Sequence, residues 1–94
     1  MGSVIMTCKG EFIVSYDEAD ELVVYDMDVK KIVYRLRKPQ NPLLLEDVLE
    51  GLDPWVIVSE YISPEVSEVL RDMGVKIELT KKREVREFVA EVFA

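Results

Sequence analysis

The 94-residue sequence contains no histidine and only one cysteine, Cys8. The lack of histidine excludes imidazole metal ligands and the nucleophile–histidine pairs that many hydrolases use. A single cysteine excludes an internal disulfide and a zinc site built from several thiolates. No nucleophile is accompanied by a recognisable general base, so we expect a protein that is not an enzyme.

Glycine and proline are scarce, with four of each, which excludes collagen-like and low-complexity chains. Apolar runs are short, as in Leu43–Leu45 and Val56–Val58, so no segment has the length of a membrane span. The chain does not begin with a basic and then apolar leader, and we expect a cytoplasmic protein. Gln40 and Asn41 are the only side-chain amides, and this composition resembles that of thermophile proteins.

The charge balance is acidic, with 12 Lys and Arg against 19 Asp and Glu and a net charge of −7. We therefore expect neither a nucleic acid nor an anionic membrane surface as a partner. The hydrophobic content of 49% is too high for a disordered chain. We therefore expect a single globular domain over residues 1–94.

The first third of the chain is typical of strands, because short apolar, β-branched runs are separated by turn residues. Acidic residues precede the predicted hairpin and basic residues follow it, so cross-strand ion pairs would help to set its register. We predict that its two strands are antiparallel. The predicted extended segments are Val4–Lys9, Phe12–Tyr16, Leu22–Asp26 and Lys31–Arg37, with a turn at Met27–Lys30.

From Leu43 onward the apolar residues recur at helical spacing, and helices alternate with strands. Trp55–Val58 is wholly apolar, which predicts an interior strand buried on both faces. Ser63 and Pro64 predict the start of a helix that ends at Gly74. The other predicted elements are a helix from Leu43 to Gly51, an edge strand Val75–Leu79 and a last helix beginning near Thr80.

The predicted order is β-β-β-α-β-α-β-α, in which the extended piece Phe12–Tyr16 is not counted as a strand of the sheet. Strands joined by hairpins pair antiparallel, and strands joined through helices pair parallel. We predict an α/β fold with a mixed five-stranded sheet and helices on the sheet faces.

Several strings resemble the dinitrogenase iron–molybdenum cofactor-binding family, whose members are small ribonuclease-H-like domains. The resemblance is carried by Leu22–Asp28, Trp55–Ser59, Glu68–Leu70, Met73–Ile77 and Val85–Phe88. It implies a ribonuclease-H-like fold and a small non-catalytic binding or carrier module. It also implies a cofactor of the iron–sulfur or iron–molybdenum cluster type.

Cys8 is the one soft metal ligand in the sequence. It is either a thiolate anchor for such a cluster or a small buried hydrophobe in the first strand. A cluster normally needs several soft ligands, so an anchoring Cys8 would need a partner chain or a dimer axis.

Ser59, Tyr61 and Ser63 are the candidate ligand-binding residues. They follow the predicted interior strand and precede a helix, and ligands of open α/β sheets collect beyond the carboxyl ends of strands. Free N–H groups at the helix start favour anions. The alternative is a capped helix start without a ligand.

Two charged groups admit a functional interpretation but are also typical of solvated surface. The acidic group could form a two-metal nuclease site if its carboxylates converged. The basic group could contact RNA or an acidic partner. The acidic residues are Asp17, Glu18, Asp20, Glu21, Asp26 and Asp28, and the basic residues are Lys81, Lys82, Arg83 and Arg86.

Two functions thus remain open beside the disfavoured nuclease. One is a binding or carrier module for a metal cluster or another small ligand. The other is a ligand-free interaction module that forms a homodimer or binds a protein through an exposed sheet edge or the region of Trp55.

Overall fold

The first strand of the chain lies in the middle of the sheet. The computed structural model describes residues 2–93, and within them one sheet of seven strands packs with three helices. The strands are β1 (Ser3–Lys9), β2 (Phe12–Ile13), β3 (Glu21–Asp26), β4 (Lys31–Arg37), β5 (Pro54–Ser59), β6 (Lys76–Leu79) and β7 (Arg83–Glu84). The helices are α1 (Leu45–Leu49), which follows a 3₁₀ turn at Pro42–Leu44, α2 (Pro64–Asp72) and α3 (Val85–Phe93).

Strand pairing is mostly antiparallel. β1 pairs antiparallel with β3 and β2, β3 pairs antiparallel with β4, and β2 pairs antiparallel with β7. The parallel pairs are β1 with β5 and β5 with β6. The predicted antiparallel pairing of β3 with β4 is confirmed, and so is the interior position of β5 between β1 and β6.

The sheet buries an apolar layer on each face, as alternation along its strands requires. Ile5, Leu22 and Ile57 pack on one face under α1 and α2. Val4, Met6 and Val23 pack on the other face under α3. The prediction of helices on the sheet faces is therefore confirmed.

The strand count differs from the predicted five, because β2 and β7 are two-residue strands that pair with each other. Of the predicted extended run Phe12–Tyr16, the part after Ile13 forms a loop. The last helix begins at Val85 rather than near Thr80, because β7 occupies the residues immediately before it. A two-residue strand is too short to show a periodicity.

The prediction that Trp55–Val58 is buried on both faces is correct only for Ile57 and Val58. Trp55 is 46% exposed, and Val56 is half-buried. The register between β1 and β5 shifts at this point, between Ser3 and Val4. The strand therefore begins with an irregular, exposed end and enters the core only afterwards.

Candidate functional site

Ser59 lies at the end of β5 and is fully buried. Its Oγ lies 2.8 Å from Thr7 Oγ1, 3.2 Å from the carbonyl oxygen of Val14 and 3.0 Å from that of Tyr61. Thr7 Oγ1 also donates to the carbonyl of Val14 at 2.7 Å. The Ser59 hydroxyl is thus used inside the protein, and its burial keeps it from direct contact with a ligand in solvent.

Main-chain hydrogen bonds fix the loop that follows Ser59. The N–H of Tyr16 donates to the carbonyl of Tyr61 at 2.8 Å, and the N–H of Glu60 donates to the carbonyl of Val14 at 3.2 Å. The N–H of Thr80 donates to the carbonyl of Ser59 at 2.9 Å. The segment is therefore a junction that joins three parts of the chain.

The other two candidate ligand-binding residues remain accessible. The Tyr61 side chain is 53% exposed. Ser63 caps α2, since the N–H of Val66 donates to Ser63 Oγ at 3.4 Å, as its sequence context predicts. Binding of a ligand by Tyr61 and Ser63 stays a prediction.

Cys8 faces α3 within the apolar layer and is fully buried. Burial raises the pKa of its thiol from 9.0 to about 12. The thiolate, which is the form that binds metal, is therefore disfavoured at neutral pH. No cluster of three or more histidine, cysteine, aspartate or glutamate residues suited to a metal ion occurs between residues 2 and 93. The residues present do not fit an iron–sulfur or iron–molybdenum cluster held by this chain alone.

Two of the acidic residues considered for a two-metal site, Asp26 and Glu18, hold turns in place. Asp26 Oδ1 accepts hydrogen bonds from the N–H groups of Asp28 and Val29, at 2.8 and 3.1 Å, in the turn after β3. Glu18 accepts from the hydroxyl of Ser15 at 2.9 Å. These carboxylates stabilise turns of the surface.

In the basic group, Arg83 is engaged by α3. Its Nη2 lies 3.3 Å from Glu87 and 2.6 Å from Glu91. These carboxylates raise its pKa above the ordinary arginine value, with the hydrogen bond to Glu91 as the main cause. Arg83 therefore anchors the helix start rather than presenting a free cation to RNA.

A cleft of about 1000 Å³ opens where β1 and β4 end and β3 begins. The carboxyl ends of β1, β4, β5 and β6 all lie at this edge of the sheet, because β3 runs antiparallel to both β1 and β4. Ligands of open α/β sheets bind at such an edge. The cleft is lined by Gly10, Ala19, Asp20, Glu21, Arg35, Arg37, Lys38 and Gln40.

Three cationic side chains line this cleft, and they differ in how far neighbouring groups engage them. Arg35 pairs with Glu21 at 3.4 Å and with Glu11 at 3.7 Å, which confirms the predicted cross-strand ion pairing. Lys38 Nζ donates to the carbonyl oxygen of Tyr16 and lies 4.7 Å from the centre of its ring. Arg37 is exposed and has no ion-pair partner within the described residues, so it is available to a ligand.

The spacing of the basic residues on β4 is a sequence feature that is consistent with this cleft but does not by itself predict it. Arg35 and Arg37 alternate along β4, which places both side chains on one face, and Lys38 follows directly. The same basic residues also fit a hairpin stabilised by ion pairs. The fold distinguishes the two uses, because Arg35 is paired and Arg37 is not.

No helix among the described residues is long and apolar enough to cross a membrane.

Comparison with known proteins shows the fold class. The chain is similar to a solved crystal structure, that of PH0822, with a TM-score of 0.74 and 9% sequence identity. The match covers 94% of this chain and 86% of that chain. At this identity the likeness supports a small α/β domain with a mostly antiparallel sheet. No protein-family model and no curated protein matches the sequence.

Proposed function

We propose that this protein is a small, non-catalytic module that binds a small anionic molecule in the cleft at the carboxyl ends of β1 and β4. The observation that carries the proposal is the exposed guanidinium of Arg37, which lacks an ion-pair partner among the described residues. It stands beside two further cations, Arg35 and Lys38, that the surrounding groups hold in place.

The charge of the whole molecule strengthens this interpretation. A net charge of −7 repels anions from most of the surface, whereas the side chains that line this cleft carry three cations against two carboxylates. Guanidinium groups bind carboxylate and phosphate oxygens in a bidentate geometry. Asp20 and Glu21 in the same cleft favour a ligand that also carries a hydrogen-bond donor.

We further propose that the domain is a divergent, ribonuclease-H-like relative of the iron–molybdenum cofactor-binding family. The sheet path β4-β3-β1-β5-β6 and helices on both faces support the relation. The family's metal cluster is not part of the proposal, because Cys8 is buried and is the only thiol.

The test is a titration of the isotope-labelled protein with inorganic phosphate and with citrate, followed by amide NMR. We expect the amides of Gly10, Glu21, Arg37, Lys38 and Gln40 to shift. Arg37→Gln should weaken binding about tenfold, because one charge-assisted contact is lost. Lys31→Gln removes a cation from the same strand outside the cleft and should leave binding unchanged.

Two results would contradict the proposal. Equal weakening by both variants would mean that binding follows net charge alone. Shifts confined to residues 59–65 would instead support the predicted site at Tyr61 and Ser63.

A further inference from the structure

One edge of the sheet is free to accept another strand. β6 pairs with β5 on one side and with no strand of the described residues on the other. The Thr80 N–H donates to the Ser59 carbonyl, so Thr80 directs its main-chain groups toward β5. Because main-chain N–H and C=O groups alternate in direction along a strand, those of Ile77 and Leu79 point away from β5, toward the free edge. An exposed edge of this kind is a template for strand addition.

The side chains of β6 are self-complementary. Lys76 and Glu78 lie on one face of the strand, and Ile77 separates them. When two copies of β6 pair antiparallel about a two-fold axis at Ile77, Lys76 of each copy lies opposite Glu78 of the other. Opposite charges directly across an antiparallel pair are stabilising, and like charges are destabilising.

Charge disfavours the two registers centred on the neighbouring residues. An axis at Glu78 places two glutamates opposite each other, and an axis at Lys76 places two lysines opposite each other. The axis at Ile77 also suits the main chain. The outward N–H of Ile77 in one copy donates to the Ile77 carbonyl of the second copy, and the reverse bond also forms. The Leu79 N–H then reaches the Val75 carbonyl of the second copy.

The opposite edge of the sheet contrasts with β6. β4 carries Lys31, Arg35 and Arg37 and no acidic residue, and its register with β3 is irregular between Val24 and Tyr25. Repeated like charges and bulges are the devices by which sheets prevent edge pairing. β6 has neither, which makes it the edge suited to a partner.

An apolar surface adjoins β6 on the face that carries α3. A groove of about 540 Å³ lies there, and its apolar wall includes Trp55, Val58, Phe88 and Val92. Trp55 and Val92 are 46% and 53% exposed, and Lys76 Nζ lies 5.5 Å from the Trp55 ring centre. Burial of this surface beside the axis would add to the strand pairing.

We propose that the protein forms a two-fold symmetric homodimer in which the β6 strands of two copies pair antiparallel in the register centred on Ile77. The two sheets then form one continuous sheet. An interface of this kind is isologous, so the complementarity of a single strand with itself suffices. The proposal is independent of the anion-binding cleft, which lies among other residues.

Charge reversal tests the register directly. Sedimentation equilibrium of the intact protein should show a dimer. Lys76→Glu and Glu78→Lys should each raise the dimer dissociation constant at least about tenfold, because two attractive pairs become repulsive. The double variant K76E/E78K exchanges the charges and should restore the dimer. Lys31→Glu reverses a charge on the opposite edge and is the matched control.

Circular dichroism of each variant distinguishes loss of the dimer from loss of the fold. A wild-type monomer at the highest soluble concentration overturns the proposal. A dimer that both single variants leave intact, or that the double variant fails to restore, overturns the register. Hydrogen-exchange protection of the Ile77 and Leu79 amides that increases with protein concentration provides a second, independent measurement.

Discussion

At the scale of single residues, Ser59 and Tyr61 show how two neighbours in one loop take different roles. The Ser59 hydroxyl is buried among Thr7 Oγ1 and two main-chain carbonyls. The Tyr61 side chain is half exposed, and its carbonyl rather than its ring ties the loop to Tyr16. Ser59 therefore serves stability, whereas Tyr61 remains free to contact a ligand.

Substitution of the two residues should separate these roles. Ser59→Ala should lower the free energy of unfolding by about 1 kcal/mol, because a buried hydrogen bond is lost. Tyr61→Ala should change the free energy of unfolding by no more than about 0.5 kcal/mol. Urea denaturation of both variants is the measurement, and a larger loss in Tyr61→Ala would contradict this assignment.

The buried Cys8 thiol and Tyr16 hydroxyl should make the free energy of unfolding fall at alkaline pH. Burial raises the pKa of Cys8 from 9.0 to about 12 and, with Asp17 as a second cause, that of Tyr16 from 10.0 to about 12. Between these values the unfolded chain loses protons that the folded chain retains. Stability is therefore complete below about pH 9 and should fall as the pH rises to about 12.

The alkaline loss can be assigned to its two sources by substitution. Cys8→Ala should make the fall of the unfolding free energy between pH 9 and 12 less steep, at a cost of about 1 kcal/mol at neutral pH. Tyr16→Phe should also flatten the curve. It should cost little at neutral pH, because the Tyr16 hydroxyl is buried without a hydrogen-bond partner in the described part of the chain. A pH profile unchanged in both variants would contradict the account.

At the scale of elements, α2 is defined at its start by a side chain. Ser63 Oγ accepts from the N–H of Val66, Pro64 occupies the first turn, and Glu65 lies near the positive end of the helix. Ser63→Ala should lower the unfolding free energy by about 1 kcal/mol.

Ser67 provides the matched control within the same helix. It lies inside α2, where alanine is the better helix former, so Ser67→Ala should leave stability unchanged or slightly raised. Thermal unfolding followed by circular dichroism compares the two variants. Equal losses at both positions would mean that the cap does not determine the stability of α2.

Elements with a strong local signal could be predicted from the sequence. The Ser63 cap, the turn at Met27–Lys30 and the antiparallel hairpin each depend on residues close together in the chain. The buried layer at Ile57 and Val58 follows from composition in the same way.

The elements that were missed depend on distant partners. β7 exists because Arg83 and Glu84 meet β2, some seventy positions earlier in the chain, and no local pattern marks that pairing. The cationic cleft likewise forms where three strand ends meet. The burial of Ser59 depends on Thr7 and Val14, so its polar character suggested a ligand contact where the fold uses it internally.

At the scale of the whole molecule, the position of β1 predicts where the structure is most protected. β1 has neighbours on both sides over Ser3–Met6, whereas β4 and β6 lie at edges. Native-state hydrogen exchange should therefore be slowest at the amides of Ile5 and Met6 and faster along β4. Greater protection in β4 than in β1 would contradict this order.

The central position of β1 also affects the order in which the sheet can form during synthesis. A ribosome produces β1 before the other six strands, and β3 follows soon enough to cover one side of it. The other side waits for β5, which begins at Pro54 and at typical synthesis rates emerges a few seconds later. During this interval β1 exposes the unpaired main-chain groups of that edge, so we expect the partly synthesised chain to be the form most prone to associate with other chains.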